Sequence, residues 1–352
     1  MNEFEIISRY FKQPFKQKKV FSLQRSPLEP KIKLAIGDDC ASFTSSKKYE
    51  IVISTDQLIE SVHFFPNLDP KSIAKKALTR SLSDLAAMGA KPLGFTLNLA
   101  TPYTSKKWFA SFSKGLLATA KQYCIPLIGG DLSANRQIIV SIQVFGYVLK
   151  NKLLKRSNLR AGDYLCVTGD IGGSGLALMR IKSHQTISKS LKKRLNEPAI
   201  PIKFAQKISK KINCGIDVSD GLFQDMMHLA KQSDCGLKLD LKAVEKKVLH
   251  CKVQKVIQQN PFSSKSSKSS KKRKQQRIKK IIHFANQGDD YELLLACKKS
   301  QLGELKKIAK KNGTQIHTIG RAQKDKKIMI FYGDFKQKIS PNSHYLKGFN
   351  HF

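Results

Sequence analysis

The carboxylates are where this sequence can do chemistry. The chain has 352 residues, with 64 Lys and Arg against 26 Asp and Glu, so acids are scarce and the net charge is +38. Ten of those 26 acids fall in six short motifs. Asp38 and Asp39 stand in IGDDCA, Asp56 ends ISTD, Asp84 lies in SLSDLAAMGA, and Asp131 follows IGG. Asp217 and Asp220 stand in GIDVSDG, and Asp289, Asp290 and Glu292 in QGDDYEL. Strand ends with glycine turns are where α/β folds gather functional side chains. Hard oxygen donors without accompanying His or Cys suit Mg²⁺ rather than zinc or copper, and Mg²⁺ usually enters through a few carboxylates plus substrate phosphates. An ordinary Asp-Gly turn accounts for any one of these motifs. Six of them in one basic chain are hard to ascribe to coincidence.

Asp84 is the sharpest case. At helical spacing it shares a face with Ala77, Ser81 and Met88. A carboxylate on such a small, partly apolar face is costly to bury unless it is paired or metal-bound; the bland reading is a helix-end or surface Asp. Familiar phosphate motifs are missing: there is no GxxxxGK[ST] and no HRD or DFG set. The run GDIGGSG at 169–175, leading into a helix, can cradle phosphate on backbone N–H groups, although tight strand-to-helix turns also need glycine. His63 in ESVHFF is a candidate phosphate ligand or a structural His beside aromatics. No Ser-His-Asp or Cys-His arrangement stands out.

The elements that must position these residues alternate between strand and helix patterns. The first half reads as strand 50–54, helix 71–88, strand 93–99, helix 106–123 and strands 125–128 and 138–148. A polar, basic connector at 150–160 marks a domain boundary, giving domains at 1–149 and 150–352. The second half reads as strand 163–168, a helix through Met179, helix 201–211, strand 214–217, helix 222–231, strands 237–241 and 292–296, helix 301–311, and strands 316–320 and 327–332. This is an α/β protein of mixed order. Residues 261–280 carry nine basic residues, six serines and no acid, which reads as a solvated, disordered insertion or as an electrostatic tail.

Hydrophobic residues make up 41% of the chain, enough for real cores. The charge makes nucleic acid, anionic membrane and phosphorylated ligands plausible partners, but the Lys excess is scattered, as a solubility bias would leave it. Seven cysteines without a CxxC pair suggest a reducing cytosol and neither a disulfide framework nor a zinc knuckle. The start, MNEFEIISRYF, has no apolar core of a signal peptide. The longest apolar stretch, 138–149, is short of the ~18 residues needed to span a bilayer.

Read in order, the motifs resemble the thiamine-monophosphate kinase family, within the superfamily of aminoimidazole ribonucleotide synthetase. IGDDCA, STD with a following E-x-x-HF, LSDLAAMGAKP, LIGGD, DVSDGL and DDYEL occur in the family's order, and the likeness runs from FEIISRYF to GFNHF except for the Lys/Ser insertion. LSDLAAMGA and DVSDGL are its most specific parts. The resemblance implies a two-domain fold, with an N-terminal mixed-sheet domain that forms the interface of a homodimer, a C-terminal α/β domain, and the site in the cleft. It implies a cytoplasmic enzyme that moves the γ-phosphoryl of ATP onto thiamine monophosphate. It further implies that Asp39, Ser54, Thr55, Asp56, Asp84, Asp131 and Asp217 hold several Mg²⁺ ions, with Asp220 on a further one. Gly130, Asp131, Arg156 and Ser219 would contact ATP, and His63, Asp289 and Phe349 the thiamine phosphate. No residue would be phosphorylated, and no membrane or specific nucleic acid is implied as a partner.

Some positions depart from the family pattern. Asp289 stands where Glu is usual, Ser81 where Asn is usual, and Leu132 in place of Thr after GGD. Phe349 and Asn350 replace Tyr and Asp, which keeps an aromatic face for stacking. None of these removes an implied metal carboxylate. The competing readings are another ATP-using member of the superfamily, an inactive copy, or a basic nucleic-acid-binding protein. No recognised nucleic-acid-binding motif supports the last.

Overall fold

The computed structural model describes residues 3–15, 32–34, 42–43, 47–103, 105–258 and 270–339. They form two compact units. One comprises residues 1–153 together with 196–202; the other comprises 154–195 and 203–352. The mixed α/β order predicted from the hydrophobic pattern is the order found.

The first unit is built on four strands and two long helices. In chain order these are β1 (Tyr49–Ile59), α1 (Pro70–Ala87), β2 (Lys91–Thr101), α2 (Lys106–Tyr123), β3 (Leu127–Ala134) and β4 (Ile139–Leu149). The sheet order is β1-β4-β2-β3; only the β2–β3 pair is parallel. Alternation decides which residues face the helices. Leu93, Phe95, Leu97 and Leu99 of β2 and Val140, Ile142 and Val144 of β4 are buried with Leu78, Leu82 and Leu85 of α1 and Phe109, Phe112 and Leu116 of α2. Helix α1 starts where its sequence says it must. Asp69 accepts a hydrogen bond from Lys71 N at 3.3 Å, and Pro70 occupies the first turn, where it costs no hydrogen bond. The other sheet face is open along its edge. Ile51 and Ile53 of β1 remain 41% and 59% exposed.

The second unit carries a seven-stranded sheet. Its elements are β5 (Tyr164–Thr168), α3 (Gly173–Lys182), α4 (Lys189–Asn196), α5 (Ile202–Ile208), β6 (Cys214–Val218), α6 (Leu222–Gln232), β7 (Gly236–Asp240), α7 (Cys251–Gln258), α8 (Ser270–Ala285), β8 (Glu292–Cys297), α9 (Leu302–Lys311), β9 (Ile316–Gln323), β10 (Ile328–Tyr332) and β11 (Phe335–Ile339). The strand order is β11-β10-β7-β9-β5-β8-β6, antiparallel except for the β10–β7 pair. One face, with Leu165, Val167, Ile216, Val218, Leu237, Leu239, Ile319, Ile328 and Ile330, packs in a single core with Leu176, Phe223, Met226, Leu229, Val253 and Ile281 from the helices.

The basic insertion differs from the expectation. Residues 261–269 lie outside the described residues, but Ser270–Ala285 is a helix rather than a disordered segment. Its C-terminal half explains why: Ile278, Ile281, Ile282 and Ala285 recur at helical spacing and are buried in the core. Arg277 Nε also meets Glu245 Oε1 at 2.7 Å. The composition window ended just as the apolar stripe began.

Candidate functional site

In the first unit, strand alternation sorts the candidate residues between two faces. Ser54 and Asp56 point toward α1. The Ser54 hydroxyl donates to Asp84 Oδ2, so the carboxylate on the small-residue face of α1 does have a partner. Arg80, one turn earlier, places Nε 3.3 Å from Asp56 Oδ1. Thr55 lies on the opposite, open face, where its hydroxyl accepts from Gln143 Nε2 at 3.2 Å. Asp131 is on that open face too, in one cross-strand row with Asn98, Ser141 and Gln57. It sits on the far edge strand from β1, three strand spacings or about 14 Å away. The unit therefore brings Ser54, Asp56 and Asp84 together, and leaves the Thr55 and Asp131 side chains apart from them.

Gly130 has a structural duty beside its candidate role toward ATP. Its φ is +152°, and a Cβ there would lie 1.9 Å from the Leu97 carbonyl oxygen, so the β2–β3 pairing admits only glycine. His63 follows β1 in a turn; its Nδ1 accepts from Ile59 N at 3.0 Å, and its carbonyl accepts from Lys76 Nζ at 3.2 Å. With Nδ1 as acceptor, the neutral ring carries its proton on Nε2. Asp39 and Phe349 lie outside the described residues.

In the second unit the candidates gather where β6 ends and α6 begins. Asp217 is buried near the end of β6, and the turn after it carries Ser219 and Asp220. Asp225, in the first turn of α6, shapes that turn: its Oδ2 accepts from Ser219 N and Gly221 N, each at 3.1 Å. Asn286 holds the helix end from a distant part of the chain. Its Oδ1 accepts from Phe223 N and Gln224 N, both at 3.1 Å, supplying the cap that Gly221 lacks. Gly221 is at φ +132°, and a Cβ there would lie 2.6 Å from Asn286 Oδ1. Residues 288–291 dock on the same turn through the main chain, with Asp289 N on Ser219 O and Tyr291 N on Val218 O, both 2.8 Å. Asp289 and Tyr291 adopt left-handed φ of 59° and 54°, and the Tyr291 hydroxyl donates to Asp289 Oδ1 at 2.7 Å. Such backbone in non-glycine residues persists only where its surroundings enforce it.

The electrostatics of this turn favour an added cation. Asp220, Asp225 and His228 offer ligand atoms within 4.8 Å of one another. Burial, reinforced by the charges of Asp217 and Asp220, pushes the Asp225 carboxyl up to about 8. Burial and the nearby Arg156 charge lower the His228 imidazole, which leaves it neutral near pH 7. A cluster of carboxylates and a neutral imidazole of this kind fits a hard divalent ion such as Mg²⁺. Asp225 and His228 were not singled out in the sequence, although a second Asp one turn into the helix after DVSDG was a readable signal. Asn286 had none, being more than sixty residues from the amides it caps.

The glycine-rich run at 169–175 has a different occupant from the phosphate considered for it. Gly172 N donates to Asp290 Oδ2 at 2.8 Å, so an internal carboxylate fills the N-terminus of α3. Gly169, at φ +55°, lies against Glu292, where a Cβ would fall 1.9 Å from Oε1. Thr168 Oγ1 donates to Glu292 Oε2 at 2.6 Å, and Arg194 pairs with Asp170 at 2.5 Å. Burial pushes both Asp290 and Glu292 up to about 7.

Two acidic centres on mixed sheets, one per unit, define the class. The N-terminal domain of AIR synthase related proteins matches residues 37–148, and their C-terminal domain matches residues 160–333. More narrowly, this chain is 32% identical to the thiamine-monophosphate kinase of Buchnera aphidicola subsp. Schizaphis graminum over 358 aligned positions, covering 100% of this chain and 99% of that protein. The chain belongs to the thiamine-monophosphate kinase family. Its fold is similar to the crystal structure of the Stenotrophomonas maltophilia K279a thiamine-monophosphate kinase, with a TM-score of 0.75 and 27% identity over 94% of this chain and 96% of that one. A further structure of the same fold, AaThiL complexed with AMPPCP and TMP, has a TM-score of 0.68 at 21% identity over 84% of this chain and 89% of that one.

Proposed function

We propose that this chain transfers the γ-phosphoryl group of ATP directly to thiamine monophosphate, giving thiamine diphosphate. The observation that carries the reading is the end-to-end match to a curated thiamine-monophosphate kinase, across both units and their connector. The acidic centres supply its chemical sense. Two phosphate-bearing substrates repel each other, and phosphoryl transfer depends on positioning and charge neutralisation far more than on covalent help. Ser54, Asp56 and Asp84 in the first unit, and Asp217 and Asp220 in the second, are the residues that would hold Mg²⁺; Asp39, Thr55 and Asp131 belong to the set on the family likeness alone, since the described side chains of Thr55 and Asp131 are not brought to that group. Bound there, the ions supply the positive charge that lets the two phosphates approach.

The remaining roles fall to groups of stated geometry. Arg156 brings a fixed positive charge to the Asp220–His228 neighbourhood, suited to the nucleotide. Ser219 presents a hydroxyl on the turn held by Asp225, and Gly130 lets the backbone approach closely. His63 is the contact to the acceptor phosphate that the family likeness implies, and Asp289 stands beside Ser219 for the same substrate. Phe349 offers the aromatic face. The acceptor phosphate oxygen is already ionised, so a general base is not needed. The open face of the first unit's sheet, with Ile51 and Ile53 exposed, is the surface a second copy would cover, making a homodimer. No helix among the described residues is long and apolar enough to cross a membrane, and we place the enzyme in the cytoplasm.

The test is thiamine diphosphate formation by the purified chain with ATP, Mg²⁺ and thiamine monophosphate, run beside Asp220→Asn. Product from the wild type that the variant loses supports both the reaction and the site. Equal product from both removes Asp220 from the site, and no product from folded wild type overturns the reaction.

A further inference from the structure

The kinase reading leaves the +38 charge unused, and one surface of the second unit concentrates it on aromatic ground. On the seven-stranded sheet, the residues that alternate with the core residues face the other way. Here a concavity of about 450 Å³ is lined by Tyr164, Lys238, Lys242, Arg321 and Phe331 among others. Its one acid, Asp240, is spent on capping the turn that follows, accepting from Lys242 N and Ala243 N at 2.9 and 3.0 Å. Arg321 is oriented rather than loose: Nε donates to Gly162 O at 2.9 Å, and the guanidinium lies 5.3 Å from the centre of the Tyr164 ring. Lys336 stands over Phe331 at 5.8 Å.

The strand register shows how these charges are spaced. Tyr164, Arg321, Lys238, Met329 and Lys338 are successive cross-strand partners in one row over five strands. Arg321 to Lys338 spans three strand spacings, about 14 Å. One phosphate cannot touch all three cations of that row, whereas a run of phosphates can. A sheet face with aromatics for bases, crossed by a line of cations, has the makings of a single-strand platform. We infer that this face binds single-stranded nucleic acid, with the backbone along Arg321, Lys238 and Lys338 and bases over Tyr164 and Phe331.

The test uses the full-length protein and a fluorescein-labelled oligouridylate of about 12 nucleotides, read by anisotropy between about 50 and 200 mM salt. Lys238→Gln with Lys338→Gln removes two exposed cations that the kinase site does not use. It is expected to weaken binding about ten-fold or more and to lower the salt slope by about one per cation lost. Lys106→Gln with Lys107→Gln, exposed on α2, removes equal charge elsewhere and is expected to change binding less than about two-fold. Unchanged kinase activity in both pairs reports an intact fold. Equal weakening by the two pairs overturns the proposal, because binding would then be spread over the whole basic surface. Competition by uridine monophosphate as effective as that by the oligomer overturns it in favour of a single-phosphate site. Absence of measurable binding by wild type overturns it outright.

Discussion

Replacing Asn286 with Ala tests how the acidic turn of the second unit is held. Asn286 Oδ1 accepts from Phe223 N and Gln224 N at 3.1 Å each, and Gly221 at the cap position has no side chain to take over. The Ala variant strands two helix-end amides in a site where Asn286 is only 6% exposed. Losing a cap of this kind costs about 0.5–2 kcal/mol, and a stranded buried donor raises that, so about 2–3 kcal/mol is expected. For a unit of this size that is a fall in melting temperature of about 4–12 °C. Asn286→Asp keeps the accepting oxygen and should recover most of the loss. Asp220 adjoins Gly221, so the Ala variant should also need more Mg²⁺ for half-maximal product formation, with a smaller change in the rate at saturating Mg²⁺. Melting curves and a Mg²⁺ titration of thiamine diphosphate formation read both effects. A melting temperature within about 1 °C of wild type, or an Asp variant no better than the Ala variant, would falsify the capping argument.

Further outcomes follow from other parts of the molecule. Asp225, Asp290 and Glu292 are all held above their ordinary values of 3.8 and 4.5, so their protons favour the folded state. That stabilisation is complete below the unfolded values and is lost progressively as pH rises from about 4 through the folded values of about 7 to 8; in EDTA, the urea midpoint should therefore fall between about pH 4 and pH 8 and level off above, and a flat profile across that window would count against it. Gly130→Ala puts a Cβ against the Leu97 carbonyl and should destabilise the first unit by about 3 kcal/mol, measured by denaturation; a loss under about 0.5 kcal/mol would mean that the two strands can separate at no cost. Ile51→Lys with Ile53→Lys places two charges on the open sheet face and should convert a dimer to monomer in sedimentation velocity, with no change expected if that face stays wet.

Most elements were legible because their periodicity is strong. The α1 pattern of Ala77, Leu78, Leu82 and Leu85, closed in front by Asp69-Pro70, leaves little choice but a helix, and the structure gives Pro70–Ala87. What escaped had weak local signals. Helix α8 begins in Lys and Ser and acquires apolar residues only from Ile278, while β11 (FKQKI) is too polar to read as a strand except beside β10. At the site, type and order of residues named the acids, but not the faces that part Thr55 from Ser54, since that needs the strand phase. The glycine run at 169–175 was ambiguous because glycines that admit a phosphate also admit a carboxylate, and Asp290 lies 118 residues from the amide it accepts from. Long-range partners of this kind, Asn286 among them, leave no trace in local sequence.

The docking of residues 288–291 on the acidic turn has a consequence for how this family can vary. Asp289 and Tyr291 are registered by their amides, each donating to a carbonyl of Ser219 or Val218, and the Tyr291 hydroxyl ties their two side chains together. The main-chain part of this anchor does not depend on side-chain length at position 289. A carboxylate one methylene longer there would keep both amide bonds and alter only the contact with the Tyr291 hydroxyl, so the turn that carries Asp217 and Asp220 would stay in place.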